Sequence, residues 1–417
     1  MRIAHVLSPW PNGRALDDGL RLAQAFADLG HEVVVLTTSP TPVAGQNGLD
    51  VRSISPDRFD ARAIDLLDSA ATGAPEFVPA VRAIVEGATL RQQAPAALAG
   101  FTPDLVYEAS APFVAAGGPL AHEYGVSVVV EASEDGAAGP LRAAAEELER
   151  IALESAHHVV TTSDRGRDRL TAAGVPERKL AVLPPAIDAD GYELTAPVRD
   201  ALRSLLGVAD RQTVGVIADL TPERDLATVF EATTELHRRG AAVTLLLVGD
   251  GSERPFALET AERSDEVTAL LPGAVPEDQI PAYLAAIDVA VAPSAPGAEF
   301  PLRHLFQYLA AGVPVVAADS PGIEHCIRGG ETGLTYPPGD ARALADALGG
   351  LLQDRDHARA VGTAGHKHIA KKHSWTARAK SILALTSLTT DHTPAPADHV
   401  PAPNPFRATQ SVAYTTE

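Results

Sequence analysis

The sequence has little in it that crosslinks. A single cysteine, Cys326, stands in 417 residues, which excludes an internal disulfide and makes a reducing cytoplasm the expected compartment. No apolar run reaches the roughly 18 residues of a membrane span. The opening "MRIAHVLSPWP" is a short apolar strand followed by proline, without the long apolar core of a signal peptide. Basic charge is scarce as well: 34 Lys and Arg face 54 Asp and Glu, a net charge of −20. Nucleic acid is therefore not an expected partner, because a phosphate backbone needs a basic face. A small anion held by a local cluster is still allowed. Lysine is confined to Lys179, Lys367, Lys371, Lys372 and Lys380, which reads as a compositional bias of the genome. His366, His368 and His373 lack a metal-binding spacing and lie among lysines, so they read as a solvated helix face. His157 and His158 read as packing residues. No metal is expected.

Hydrophobic residues make up 45% of the chain and charged residues 21%, ordinary for a soluble globular protein. The length exceeds one hydrophobic core and points to two domains of about 200 residues. Apolar runs alternate with helical patterns from the start. "RIAHVL" and "EVVVLTT" read as strands, with a helix from Leu16 to Leu29 between them that Gly30 ends. "PDLVYEA", "VSVVVEA", "HHVVTTS" and "KLAVLPPAID" continue the series, with a helix from Leu141 to Ser155. After a polar linker near 188–212 the pattern restarts with "TVGVIADL", "AVTLLLVGDG", "EVTALLPG", "AIDVAVAPS", "VPVVAAD" and "TGLTYPP". Continuous Val-rich strands joined by helices imply parallel sheets covered on both faces. The expected fold is α/β, with two Rossmann-like doubly wound domains over 1–188 and 189–373. One more helix, 374–388, is expected to cross back to the first domain, and the Pro- and Thr-rich stretch 389–417 to be a disordered tail. Ligands of such sheets sit beyond the carboxyl ends of the strands, so a cleft between two of them is the natural site.

Three stretches carry chemistry. "LLLVGDGSER" ends a buried strand in Gly249-Asp250-Gly251, and glycines there let a ligand approach backbone closely, or make a tight turn. "DLTPERDLATVFEA" opens a helix with Thr221-Pro222 and offers Arg224 beside free N–H groups, though Asp219, Glu223 and Asp225 fit a capped helix start equally well. "APGAEFPLRHLFQYLAAGVPVVAAD" places Glu299 in a loop before a helix that starts near Pro301. The N–H groups of that helix, with Arg303 and His304, suit a diphosphate. Glu299 suits sugar hydroxyls, and Gln307, about two turns deeper, suits a ribose. The plain alternative makes Glu299 a solvated loop acid and Gln307 a polar residue on the helix face. Cys326 lacks a neighbouring base in sequence and reads as a small buried side chain.

The order of these motifs, with "VLSPWPNGR", "PDLVYEAS", "PGAVPEDQIPAYLAAIDVAVAPS", "GGETGLTYPPGDARALADAL" and "HSWTARAKSIL", resembles the family 4 retaining glycosyltransferases, which have the two-domain GT-B architecture. The resemblance runs to about residue 388 and is more specific from Thr213 to Leu385 than before it. It implies an N-terminal acceptor-binding domain and a C-terminal domain that binds a nucleotide-diphosphate sugar, with no further cofactor. The family's paired donor-site glutamates fall on Glu299 and Gln307, and its Gly-Arg…Glu-Lys-Gly on "ADLTPERD". Ala218, Asp219, Arg224 and Asp225 thus replace Gly, Arg, Lys and Gly. The N-terminal Gly-Gly loop is reduced to Asn12-Gly13, and a histidine common in the family falls on Ser133. The resemblance therefore implies Glu299 and Arg224 as catalytic. It implies Gly249, Asp250, Gly251, Phe300, Leu302, Arg303, His304 and Gln307 as donor-binding, and Asn12, Gly13, Glu108 and Ser133 as acceptor-side. The expected reaction is retaining sugar transfer without a metal. The alternative is an impaired relative that acts as a binding or accessory partner. A protein partner or a homodimer is compatible with either.

Overall fold

The structure, a computed structural model, describes residues 1–8, 13–39, 48–56, 77–133, 141–192, 196–264, 266–298 and 300–387. The first domain is a sheet of seven parallel strands: β1 (Arg2–Leu7), β2 (Glu32–Thr37), β3 (Asp50–Ser53), β4 (Leu105–Ala109), β5 (Ser127–Glu131), β6 (His158–Thr161) and β7 (Leu180–Val182). Their order across the sheet is β3-β2-β1-β4-β5-β6-β7. Helices α1 (Gly13–Asp28), α2 (Val78–Ala97), α3 (Gly117–Tyr124), α4 (Arg142–Ser155) and α5 (Asp164–Ala172) connect them. Alternation along β1 divides its side chains between two cores. Ala4 and Val6 join Leu90, Leu120 and Leu170 of α2, α3 and α5. Ile3 and Leu7 join Leu16, Leu20 and Phe26 of α1. This is the period of two that a doubly covered strand requires.

The second domain is a six-stranded parallel sheet in the order β10-β9-β8-β11-β12-β13. The strands are β8 (Gln212–Ile217), β9 (Val243–Val248), β10 (Thr268–Gly273), β11 (Val289–Ala292), β12 (Val315–Ala318) and β13 (Leu334–Tyr336). Helices α6 (Ala196–Leu205), α7 (Leu226–Arg238), α8 (Arg254–Arg263), α9 (Ile280–Ala285), α10 (Leu302–Ala310), α11 (Ala341–Gln353) and α12 (Arg355–Lys372) accompany it. One last helix, α13 (Trp375–Ser387), leaves this domain and packs its Ala379 and Ile382 into the core that α1 shares with the first sheet.

The structure alters the sequence reading at several points. The stretch read as a polar linker contains α6, whose Val198 and Leu205 are exposed. The helix read from Thr221 starts at Leu226, behind a 3-10 turn over Pro222–Arg224. The histidines read as a solvated face are half-buried and engaged: His366 Nδ1 lies 2.7 Å from the Ala310 carbonyl, and His368 Nε2 lies 3.1 Å from that of His325. His373 lies tilted against Phe306 with ring centroids 4.7 Å apart. Cys326 is fully buried, and burial pushes its thiol up to about 12. Among the described residues no helix is long and apolar enough to cross a membrane. The stretch expected to be a tail lies outside the described residues.

Candidate active site

Each sheet reverses its strand order once, between β1 and β4 in the first and between β8 and β11 in the second. Such switch points open crevices at the carboxyl ends of the strands. In the second domain the loops after β8, β9 and β11 converge there. Leu220 N–H donates to the Asp250 carbonyl at 2.9 Å, Glu253 N–H donates to the Leu220 carbonyl at 2.9 Å, and Ala295 N–H donates to the Glu223 carbonyl at 2.9 Å. The glycines of the "GDG" turn serve this contact. Gly249 and Gly251 have φ of +142° and +154°, and a Cβ on them would stand 1.9 Å from the Ala218 carbonyl oxygen and 2.3 Å from that of Leu220. They admit neighbouring backbone, in keeping with the tight turn that stood beside ligand approach in the sequence reading. Asp250 between them is exposed, and its carboxylate accepts from Gly251 N–H at 2.8 Å.

Arg224 is buried, with its guanidinium carbon 5.3 Å from the centroid of the Phe300 ring. Burial lowers its pKa, and the nearby Glu223, Asp219 and Tyr308 oppose that shift. Phe300 is itself buried, tilted against Tyr308 with centroids 6.2 Å apart. Its side chain supports Arg224 and the core. The Tyr308 hydroxyl donates to the Ile217 carbonyl and accepts from Ile217 N–H, both at 2.8 Å, which ties α10 to the end of β8. Glu299 lies outside the described residues. Leu302 opens α10, and Pro301 before it provides no side-chain cap; His304 N–H donates to the Pro301 carbonyl at 3.0 Å, which leaves the N–H groups of Leu302 and Arg303 without an intrahelical acceptor.

Three further donor-side expectations meet different surroundings. Arg303 is not left for a phosphate: it reaches Asp18 of α1 at 3.1 Å and also pairs with Glu277. Burial lowers the pKa of His304, with Gln307 and Asp219 opposing, so the ring is biased toward the neutral form. Gln307 is only 2% exposed. Its Oε1 lies 3.3 Å from His304 Nδ1, and the amide is hydrogen-bonded with the Tyr192 hydroxyl. Asp219 is exposed at the mouth of the switch point, within electrostatic reach of Arg224 and His304.

On the first domain, Asn12 lies outside the described residues and Gly13 is the first residue of α1. Ser133 is exposed just past β5, and its carbonyl accepts from Arg169 at 2.6 Å. Glu108 is not on the acceptor surface. It is fully buried under the start of α3, where one carboxylate oxygen accepts from the N–H groups of Ala116, at 2.8 Å, and Gly117. Burial raises its pKa, and those two bonds oppose the rise. It is a helix cap made from inside the sheet.

Sequence reasoning missed a buried polar group on the other face. Tyr107 donates to Glu131, whose second oxygen takes Arg378 of α13 at 2.7 Å. Arg378 also donates to the Leu183 and Pro184 carbonyls, each at 2.7 Å. Burial alone would raise the Glu131 pKa, but Arg378 and Tyr107 hold it below the usual value. The signal lay in "VVVEAS", where an acid ends an otherwise apolar buried strand. Between the domains, Asp17, Arg21, Asp188, Tyr192, Glu277 and Gln307 are among the residues that line a cavity of about 420 Å³. Among the described residues no group of three or more His, Cys, Asp or Glu is placed to hold a metal ion.

Two family models match the chain: the glycosyl transferase 4-like domain over residues 20–186 and glycosyl transferases group 1 over 211–354. The chain is 32% identical over 283 residues to the GDP-mannose-dependent alpha-(1-6)-phosphatidylinositol monomannoside mannosyltransferase of Mycolicibacterium smegmatis, covering 65% of this chain and 72% of that one. It belongs to the family 4 glycosyltransferases. The Mycobacterium tuberculosis protein of the same description is 32% identical over 229 residues, covering 52% of this chain, and the chain spans 58% of its length. The glycosyltransferase fold is matched by the Anabaena HepE structure with UDP and glucose, with a TM-score of 0.62 at 20% identity, over 93% of this chain and 100% of that one. This family and the two parallel-sheet domains agree with the sequence reading.

Proposed function

We propose that the chain is a retaining glycosyltransferase that moves a sugar from a nucleoside-diphosphate sugar to an acceptor, without a metal ion. The observation that carries this reading is the convergence of three loops and the uncapped start of α10 on the switch point of the second sheet, beside the buried Arg224. Free N–H groups at a helix start and a guanidinium stabilise a departing diphosphate as its charge develops. The low-dielectric wall around Phe300 strengthens that field. Glu299, by the family resemblance, faces the transferred sugar, and the acceptor approaches from the first domain past Ser133. The names of the relatives support a nucleoside-diphosphate hexose as donor.

A second reading, an impaired relative that binds without transfer, draws on Asp219 and Gln307. Asp219 puts negative charge where the family has arginine, and Gln307 is already engaged by His304 and Tyr192. Calorimetric titration of the full chain with the common nucleoside diphosphates tests the donor site, turnover of a nucleoside-diphosphate sugar separates the two readings, and two substitutions refine the site. Asp219 is exposed, so Asp219→Arg exchanges repulsion for attraction without a burial cost. Gln307→Glu places a carboxylate in a buried position and exchanges one hydrogen-bond acceptor for a stronger one, a gain of about fivefold to tenfold at most. Asp219→Arg is expected to tighten nucleotide binding more than Gln307→Glu, with the difference shrinking at high salt. If Gln307→Glu proves the larger gain, the diphosphate does not lie beside Asp219. No binding of any nucleotide by the folded chain removes the transferase reading.

A further inference from the structure

We propose that Arg303 is a positioning residue whose ion pair with Asp18 holds the two domains at the separation at which their facing loops form one donor cleft. The catalytic consequence rests on the transferase reading above, but the geometry does not. Arg303 is the second residue of α10, the helix whose start borders the switch point of the second sheet, and Asp18 lies in the second turn of α1, which begins at the switch point of the first. Their side chains meet at 3.1 Å and are about a third exposed, 31% and 35%, so the pair is partly withdrawn from water. Glu277, on the same domain as Arg303, holds another arm of the guanidinium. It orients the fork, and Asp18 takes it across the gap. A planar, permanently charged fork suits such a bridge better than an ammonium does.

The surroundings leave this contact in control. Both chain crossings between the domains are fastened separately. Arg378 grips the Leu183 and Pro184 carbonyls, Ile187 N–H donates to the His373 carbonyl at 2.9 Å, and Arg21 pairs with Asp188 at 3.3 Å. With the crossings fixed, rotation about them is the motion that remains, and the Arg303–Asp18 pair resists it. A second cross-domain ion pair, His325 with Asp164 at 3.7 Å, is longer and charged only when the histidine is protonated. Domain closure of this kind commits a substrate and excludes water.

The test measures a distance between domains as well as activity. Cysteines replacing Asp168 and Arg263, whose side chains are 77% and 78% exposed, take spin labels, and the native Cys326 is fully buried. Pulsed electron-spin spectroscopy should give one narrow distance distribution in the parent. Arg303→Gln and Asp18→Asn should each broaden and lengthen it, and Arg303→Lys should restore part of it. Glu277→Gln should change it less than Asp18→Asn does, because that partner lies on the same domain and only orients the fork. With a nucleoside-diphosphate sugar, Arg303→Gln should raise KM about threefold to tenfold and change kcat less than twofold. Unchanged distributions in both Arg303→Gln and Asp18→Asn overturn the proposal, as does a Glu277→Gln effect equal to that of Asp18→Asn. If no nucleotide sugar is turned over, the transferase reading fails while the distances still decide the role of Arg303.

Discussion

Asp225 shows what one substitution in a family motif costs locally and how the chain answers it. The family places glycine here, and the structure gives the reason: Asp225 has φ of +44°, a left-handed conformation that most side chains resist. Aspartate tolerates it because its carboxylate caps α7, accepting from Thr228 N–H at 3.4 Å and from the Thr228 hydroxyl at 2.6 Å. Asp225→Gly exchanges the cap for backbone relief and should change stability by less than about 0.5 kcal/mol, whereas Asp225→Ala loses both and should cost about 1–2 kcal/mol. Urea unfolding of the two variants checks this, and equal losses would mean the cap matters and the backbone does not. His5 makes a second prediction. It is fully buried against the Tyr107 ring, centroids 5.0 Å apart, and burial lowers its pKa from 6.5 to about 3, opposed by Glu131. The unfolded chain then takes up this proton first, so the contribution of His5 is complete above 6.5 and is lost as pH falls toward 3. Glu131, whose folded pKa is lowered, loses stability in the same direction but below 4.5, and Glu108, whose pKa is raised, works in the opposite sense above 4.5. His5→Phe keeps a ring beside Tyr107 and isolates the histidine. Between pH 7 and 5 the parent should lose up to about 2 kcal/mol more than this variant in urea unfolding. Equal losses would show that His5 does not stay neutral in the fold.

At the scale of elements, legibility of the strands followed burial. Strands such as β1, β2 and β9 are buried on both faces, so their runs "RIAHVL", "EVVVLT" and "VTLLLV" stand out without alternation. The edge strand β3, "DVRS", is exposed at both ends, half-buried between, and carries no apolar run, which is why nothing in its sequence announced it. Helix α6 has no buried residue, yet Val198, Ala201, Leu202 and Leu205 recur at helical spacing, so this element was legible from its period and not from burial. The candidate site divides the same way. That Arg224 and the "GDG" turn belong together could be read from their places after adjacent strands. Local sequence could not show that Arg303 turns to Asp18, 285 residues away, or that Gln307 meets Tyr192, because those partners are set by how two domains dock. Glu108 misled for a related reason. An acid at the end of a strand reads as a surface group, and only the position of α3 shows that it caps a helix from below.

For the molecule as a whole, α13 decides whether two domains behave as two. It is continuous in sequence with the second domain, yet its Ala379 and Ile382 lie in the core beneath β1, β4 and β5. Its Arg378 is 5% exposed and closes the buried group with Glu131 and Tyr107. A helix that finishes one domain's core from the other domain's chain couples their unfolding. Removing residues 375–417 takes away that cover and strips Glu131, whose side chain is already 26% exposed, of its cation. Burial of an isoleucine is worth about 1.5–3 kcal/mol, and Trp375 and Leu383 pack against the same core; the lost ion pair adds less, because Glu131 then faces water. The first domain should therefore be weakened by several kcal/mol, while the core of the second, which draws no residue from α13, should hold. Scanning calorimetry should show the parent's coupled transition split in two, the earlier one lower by roughly 10 °C or more. Arg378→Lys in the full chain should give a smaller shift without the split, since it keeps the charge and the apolar contacts. A truncated chain that still melts in one transition at the parent's temperature would show that α13 only rests on the first domain and does not complete it.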